Sequence, residues 1–363
     1  MVICFFIFAL FFLKTKIFAD EAIENKLDLY NKETNKIDLI INKNFDNDLG
    51  IDINLKNLAK KVLMHETNFS EVFVIIKNIF IKEIFNTKHV KNLFAILILS
   101  SLVNNLTTSF CSENNIAFYA CFIVVSINLI SEFRSIILLT QNFLDSLINL
   151  IESSVPLIFS LLITNFNKII LSPVIFLTTG TIILIIKIIL PCINIFFVMG
   201  LLNNIGDRKF LESLVNFIKK TLEYSLKIIA FVFVSVISIE RVSSNLFKNF
   251  FNKSLRTAIK IVPIVGETFS GTIECILTWS ELIKNSFLLG LIILIFFICL
   301  VPLIKIILVG LVYRFVAVIT QSINDEKIFK SIIIFSDSCI LLFSCVFTCV
   351  MFFIFSIIIF LTL

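Results

Sequence analysis

Long apolar segments follow one another along most of this chain, from about Asn92 to Leu363, with short polar stretches between them. Two of these segments, 286–303 and 328–363, contain few or no charged residues. An apolar stretch of roughly 18 residues or more is long enough to cross the hydrocarbon core as a helix. Charged residues make up 16% of the chain, against roughly 25% in soluble domains. The sequence therefore predicts an all-α, polytopic membrane protein.

The amino-acid composition raises the mean hydropathy of the chain slightly. Phe occurs 42 times, Ile, Asn and Lys are abundant, and Gly, Pro and Trp are scarce, which is the bias of an AT-rich genome. The membrane prediction does not depend on this bias, because the apolar runs are long and are separated by charged clusters. The net charge is +5, and no basic stripe is interleaved with stacking aromatics, so the sequence gives no indication of nucleic-acid binding.

The first 19 residues predict a signal peptide. Met1–Leu13 is apolar, and the small residue Ala19 precedes an acidic pair, as at a cleavage site. An uncleaved anchor is the alternative, because no basic residue precedes the apolar core and Lys14 and Lys16 follow it.

Two further segments precede the membrane domain. Residues 20–68 are hydrophilic and slightly acidic, and they predict a small exported helical appendage that docks on a partner. In 69–91, apolar residues are interspersed with charged ones, which predicts an amphipathic helix. Such a helix lies in the membrane interface, or it packs as an ordinary helix that leads into the membrane.

The remaining residues, 92–363, are predicted to form a multispan membrane domain. Candidate spans are 92–110, 116–131, 136–163, 170–186, 188–203, 222–239, 286–303, 304–320 and 333–361. Several are short or interrupted by polar residues, so the expected count is six to nine. Pro191 and Pro302 lie inside apolar runs, where proline removes a backbone hydrogen bond and kinks the helix. The sequences around the two prolines are similar. Either an internal repeat or chance similarity explains this.

The distribution of basic residues leaves the topology open. Counting from an exported N-terminus places 204–220 in the cytoplasm, where its basic residues fit the positive-inside rule. The same count places 240–285 outside, although this segment is also basic. Either one span is miscounted, with 136–163 the doubtful one, or 240–285 folds as a unit, as a polar re-entrant or surface segment.

Four charged residues are predicted at membrane depth: Lys187, Lys305, Arg314 and Asp337. Charges at this depth are costly and usually face protein or water. Lys305 and Arg314 lie near predicted span ends, so their side chains either extend to the headgroups, line a pore or pair between helices.

The residue patterns of soluble enzymes are missing from the sequence. His65 and His89 lack metal-ligand spacing, and Phe69 occupies the position of the second His of a zinc-protease helix. The nine cysteines form no CxxC pair, and no glycine-rich nucleotide-binding motif occurs. The chain is therefore predicted to be neither an enzyme nor a cofactor or metal protein.

The segment 254–290 differs from its surroundings and resembles the signature region of the stage III sporulation protein AE family. It contains SLRTAIK at 254–260, VPIVG at 262–266, Phe269-Ser270 and LIKN at 282–285. Similar residues follow in the family's order at Pro302, Lys305, Tyr313, Gln321 and Asp325, and an earlier motif is matched by Ser172-Pro173-Val174 and Thr178-Thr179-Gly180. The chain departs from the family at Ser322 and Asn324, where the family tends to have Pro and Gly.

The resemblance implies a multi-pass protein of the mother-cell membrane around the engulfed forespore. It would be one component of a channel-like apparatus joining the two cells, similar in role to the export gate of a secretion system. Its implied partners are the other membrane proteins of the stage III apparatus and the lipid bilayer.

The polar segment 254–285 is predicted to form two short amphipathic helices around a Pro263–Gly266 corner. Together with the kinked run after it, this segment supplies the candidate partner or pore contacts, which are Arg256, Lys260, Pro263, Gly266, Lys284, Asn285, Pro302, Lys305 and Asp325. The alternatives are a stand-alone secondary transporter of a small solute and a membrane anchor for an active N-terminal segment.

Overall fold

The fold is helical throughout the described part of the chain. The computed structural model describes residues 116–161, 165–205, 211–260, 266–323 and 326–362. The helices are α1 (Ile116–Leu161), α2 (Asn165–Leu184), α3 (Leu190–Ile205), α4 (Glu212–Lys260), α5 (Gly266–Ile323) and α6 (Glu326–Thr362), and a π-helical turn at Ile185–Ile189 joins α2 to α3. The predicted all-α class is confirmed for these residues. The predictions for the signal peptide, for 20–68, for 69–91 and for a span at 92–110 lie outside them.

Four helical stretches within these ranges are long and apolar enough to cross a membrane. They are Phe122–Pro156, Val174–Ile205, Ile298–Ile319 and Glu326–Ile359. The total of six to nine spans for the whole chain stays a prediction.

Three pairs of predicted spans each lie within one continuous helical stretch, so their separation was wrong. Spans 116–131 and 136–163 both lie in α1, and spans 286–303 and 304–320 both lie in α5. The charged residues between the first two runs do not end a helix, and α5 continues through Pro302.

The third pair, 170–186 and 188–203, is joined by the π-helical turn. The N–H of Leu190 donates to the carbonyl of Ile185, five residues earlier, instead of the usual four. Pro191 follows directly and has no N–H to donate. The helix thus continues through Pro191, with the π-helical turn directly before it.

Helix α6 lies at the centre of the bundle and packs on each of the other helices. In its candidate span, 67% of the residues in the most apolar window are buried, against 28% in α1, 39% in α2–α3 and 44% in α5. A helix that is apolar on all sides is best accommodated where other helices surround it.

Contacts along α6 show that α1 runs parallel to it and α2–α3 antiparallel. On α1, Tyr119 accepts a hydrogen bond from Lys327 at 3.4 Å, and Phe133, further along, contacts Phe335. On α2–α3 the order is reversed, because Thr178 pairs with Ser356 at 2.6 Å while Asn204 donates to Ser331 at 3.1 Å.

The same comparison shows that α4 is parallel and α5 antiparallel to α6. Lys219 and Phe233 of α4 contact Asp337 and Phe352 in that order, whereas Tyr313 of α5 contacts Phe335 and the earlier Gly310 lies opposite Ser336. Since α2–α3 and α5 run in the same direction, the chain returns between them through α4. Helix α4, which contains the predicted span 222–239, therefore packs along the bundle in addition to the four candidate membrane spans.

A charged cluster on the central helix

Three helices meet at the carboxylate of Asp337. Lys219 Nζ of α4 lies 2.6 Å from Asp337 Oδ2, and Arg314 Nη1 of α5 lies 2.7 Å from Asp337 Oδ1. Each carboxylate oxygen thus accepts a hydrogen bond from a different helix. We call these three residues the charged cluster.

The burial of these side chains explains why the carboxylate is paired. The side chain of Asp337 is 15% exposed, whereas those of Lys219 and Arg314 are 34% and 50% exposed. A buried carboxylate is costly unless cations and hydrogen bonds compensate it. Both basic side chains are thus more exposed than the carboxylate with which they pair.

A fourth charge lies nearby on α1. Glu132 interacts electrostatically with Tyr313, which precedes Arg314, and with Cys339, two residues after Asp337. The two acidic and two basic side chains carry no net charge in total.

Close packing of α5 against α6 brings Arg314 to Asp337. Gly310 lies one helical turn before Arg314, and a Cβ on it would lie 3.1 Å from Cys339 Cβ. Its carbonyl accepts a hydrogen bond from Ser336 Oγ at 2.8 Å. Small residues of this kind let membrane helices approach closely.

An aromatic cluster lies beside the charges. The Phe335 ring has its centroid 4.2 Å from Tyr313, 6.1 Å from Phe133 and 6.0 Å from Phe197. These residues come from α1, α3, α5 and α6, so the level of Phe335 is where four helices meet. Tyr313 is fully buried, and its hydroxyl has no hydrogen-bond partner among the residues that the structure describes.

The cluster allows a contact that can be broken chemically. Unlike apolar packing, a carboxylate shared by two cations is released by protonation or by a competing ion. Among the described ranges, no group of three or more His, Cys, Asp or Glu side chains is arranged to hold a metal ion.

Of the charges predicted at membrane depth, Arg314 and Asp337 pair between helices, which is one of the predicted alternatives. Lys187 lies in the π-helical turn and is exposed. Lys305 is partly buried and lies nine residues before Arg314 on α5, roughly 13 Å along the helix axis. Pro302 is buried one turn before Lys305.

The structure places most of the other predicted contact residues on two long helices. Arg256 and Lys260 lie in the last turns of α4, Gly266 begins α5, and Lys284 and Asn285 follow on α5. Pro263 and Asp325 lie outside the described residues. The two halves of 254–285 thus lie at the ends of long helices rather than in two short ones. The predicted Pro–Gly corner falls on residues 261–265, outside the described part of the chain, and stays a prediction.

Lys219 was not predicted as a site residue from the sequence, where it is one of several basic residues in 204–220. A usable signal was present, because Val215, Lys219, Leu222 and Leu226 recur with helical spacing. The three apolar residues are all buried, and Lys219 lies in the same stripe.

The comparisons with known proteins agree on one family. Residues 53–363 match the sequence model of a family described as "Stage III sporulation protein AE". The protein named "Stage III sporulation protein AE" of Bacillus subtilis (strain 168) is 24% identical over 257 residues, which cover 68% of this chain and 63% of that protein. The match thus spans less than two thirds of that relative's length. No solved structure matches the chain. The family model covers most of the sequence, and the chain belongs to the stage III sporulation protein AE family.

Proposed function

We propose that this protein is a non-enzymatic, channel-like or export-gate-like membrane component of the mother cell–forespore transport apparatus required for endospore formation. Family membership supports the link to sporulation. The four long apolar helices support a multi-pass membrane protein. In our proposal its membrane is the mother-cell membrane that surrounds the forespore.

The charged cluster is the observation that carries the proposal of an active rather than a purely structural component. Well-packed apolar residues stabilise a bundle as well as a buried ion pair does, and often better. Charges at membrane depth usually belong to a pathway or a moving part. A cluster that joins α4, α5 and α6 through Asp337 suits a part whose helices shift while the apparatus works.

The partners in this proposal are the other membrane proteins of the stage III apparatus. The ends of α4 and α5 would contact them, with Arg256, Lys260, Lys284 and Asn285 as the candidate residues. The experiment for this part is charge reversal at Arg256, which is expected to abolish co-purification of other apparatus components at unchanged protein abundance. Retained co-purification would contradict it.

The role of the charged cluster is tested with Asp337→Asn, which removes the charge and keeps the side-chain shape. We expect the yield of heat-resistant spores to fall by at least about tenfold while the protein stays in the membrane fraction. The matched control is Ser338→Ala, since the Ser338 hydroxyl bonds only to Ile334 O of its own helix among the residues that the structure describes. Wild-type sporulation by the Asp337→Asn strain would show that the cluster has no role in function.

A stand-alone secondary transporter is the second candidate. Its support is the same cluster together with Pro302 inside α5, because interrupted helices and intramembrane charges also occur in transporters. Co-purification with other membrane proteins from sporulating cells favours the apparatus. Solute uptake by purified protein in liposomes, without any partner, would favour the transporter.

A further inference from the structure

The exposed face of α1 changes from apolar to polar along the helix. Its exposed side chains recur every three or four residues and therefore lie on one side of α1. In the first half of the helix they include the apolar residues Ile123, Val124, Ile127 and Ile130. Between residues 141 and 152 every exposed side chain is polar, and these are Gln141, Asn142, Asp145, Asn149 and Glu152. We call these five residues the polar face.

The side of α1 behind the polar face is buried. Its buried residues are apolar, and they are Phe143, Leu144, Leu147, Leu150 and Ile151. Helix α1 packs on α2, α5 and α6, so the buried side faces these helices. The polar face therefore belongs to the outer surface of the described bundle.

Helix α4 is apolar on its outside at the same depth. The polar face begins 8 residues and ends 19 residues after Phe133, which contacts Phe335, so it is level with about residues 343–354 of the parallel helix α6. Phe233 of α4 stacks on Phe352, and these helices are also parallel, so this depth corresponds to about residues 224–235 of α4. Exposed apolar side chains in that range are Ile228, Phe231, Val232 and Val234.

Helices α2 and α3 are also apolar on their outside at this depth. Thr178 pairs with Ser356, and α2 runs antiparallel to α6, so the polar face is level with about residues 180–191. Exposed apolar side chains in that range are Ile183, Leu184 and Ile188. Two other sides of the bundle thus suit lipid at a depth where α1 does not.

The charged residues that α2–α3 and α4 expose at this depth are lysines, Lys187 and Lys227. A lysine can lie along an apolar surface and extend its ammonium group towards the headgroups. The side chains of Asn142, Asp145 and Asn149 are too short for that. Polar groups at membrane depth usually face protein or a water-filled cavity.

We propose that the polar face of α1 borders an aqueous path that runs beside the bundle within the membrane. Water hydrogen-bonds with all five exposed side chains and hydrates both carboxylates. A neighbouring apolar helix would leave these groups unsatisfied. A polar helix would need matching donors along roughly 17 Å, the rise from Gln141 to Glu152. Water therefore fits this face without requiring a matching sequence.

The position of α6 explains why the path runs beside the bundle. In the most apolar windows of the candidate spans, 67% of the α6 residues are buried, against 28% of the α1 residues. The described bundle is therefore filled at its centre by an apolar helix, whereas α1 lies at its edge. The opposite wall of the path is then supplied by other chains. This step rests on the function proposed above.

The charge of the polar face indicates what it accommodates. Asp145 and Glu152 are acidic, and residues 141–152 include no lysine or arginine. Carboxylates along an aqueous path favour cations over anions. Hydrated cations and positively charged solutes are therefore the class that suits this face.

The test is thiol labelling of the full chain in membranes from sporulating cells, opened by sonication so that reagent reaches both sides. Asn142→Cys and Asn149→Cys place a thiol on the polar face and keep both carboxylates. Matched controls are Ile127→Cys, on the apolar part of the same face, and Phe231→Cys, on α4 at the depth of the polar face. With a charged, membrane-impermeant maleimide, we expect the first two thiols to react at least about tenfold faster than the controls, because the reactive thiolate forms in water. The protein with its native cysteines alone gives the background.

Two labelling patterns would overturn the proposal. Slow reaction at Asn142→Cys and Asn149→Cys would show that protein or lipid covers the polar face. Equally fast reaction at Phe231→Cys would show that this depth lies outside the membrane. Neither pattern affects spore yield or co-purification, which test the proposed function, so the two proposals fail separately.

A second measurement needs no substitution. The wild-type protein in the same membranes is treated with a water-soluble carbodiimide and a hydrophilic amine, and modified carboxylates are identified by peptide mass spectrometry. We expect Asp145 and Glu152 to be modified several times more than Asp337, whose side chain is 15% exposed. Modification no greater than that of Asp337 would overturn the proposal, even if the cysteine variants fail to accumulate.

Discussion

Arg314 Nη1 lies 2.7 Å from Asp337 Oδ1, across a hairpin in which only residues 324 and 325 separate α5 from α6. The short connection fixes the register of the two helices, and the close approach at Gly310 sets their separation. The ion pair therefore depends on Gly310, because only a residue without a side chain lets the two helices come this close.

Gly310→Leu is expected to destabilise the bundle by about 1–3 kcal/mol, as overpacking does in a dense interior. The new side chain would meet Cys339, because even a Cβ at this position lies 3.1 Å from Cys339 Cβ. Thermal aggregation of purified protein in detergent measures the effect. Gly180→Leu is the control, since in the described part of the chain no atom beyond the adjacent backbone of its own helix lies within 4 Å of a Cβ built there. Equal melting of the two variants would contradict the close approach.

Asp337→Leu is expected to destabilise the protein more than Arg314→Leu. The first change leaves Lys219 and Arg314 facing each other without a carboxylate, whereas the second leaves the Lys219–Asp337 pair in place. Breaking a buried pair costs about 3–5 kcal/mol. The half-exposed Arg314 should cost nearer the surface value of about 1 kcal/mol or less. Thermal melting in detergent ranks the two variants, and the reverse order would show that Asp337 is not the centre of the cluster.

Phe335→Ala is expected to cost about 3–5 kcal/mol, the range for removing a buried Phe. Its ring contacts Phe133, Phe197 and Tyr313, so one truncation loosens four helices. Protease resistance in detergent is a suitable readout. Phe315→Ala removes an exposed ring of the same size and should change resistance little. Similar losses from both substitutions would argue against a core at Phe335.

Tyr313→Phe is expected to stabilise the protein by about 1 kcal/mol or to leave its stability unchanged. The Tyr313 hydroxyl is buried, without a hydrogen-bond partner in the described parts of the chain, and an unsatisfied buried hydroxyl opposes folding. The melting temperature in detergent, compared with that of the wild type, measures the change. A clear loss of stability would mean that the hydroxyl is hydrogen-bonded in the protein.

The sequence predicted the helical class and two members of the charged cluster for physical reasons. Arg314 and Asp337 were recognisable because they interrupt apolar runs. A charged side chain is costly there and is usually paired or functional. Lys219 lies in a polar stretch before a predicted span, so its pairing with Asp337 depends on the packing of distant helices. The boundaries within α1 and α5 were misplaced because charged residues and Pro302 were read as breaks, although a helix continues through all of them.

The central position of α6 was the least accessible to sequence reasoning. An apolar helix surrounded by lipid and one surrounded by other helices have similar hydropathy. The small buried side chains of Ser336, Cys339 and Cys345 distinguish the second case, since they allow neighbours to approach from several sides.

Helix α6 follows all the other described helices in the chain, and this order has a consequence for biogenesis. Because synthesis proceeds from the N-terminus, α1 to α5 emerge before the helix that each of them packs against. Lys219 and Arg314 likewise emerge before Asp337. Until α6 has been synthesised, the earlier helices can contact only one another, so every contact with the central helix has to form after them.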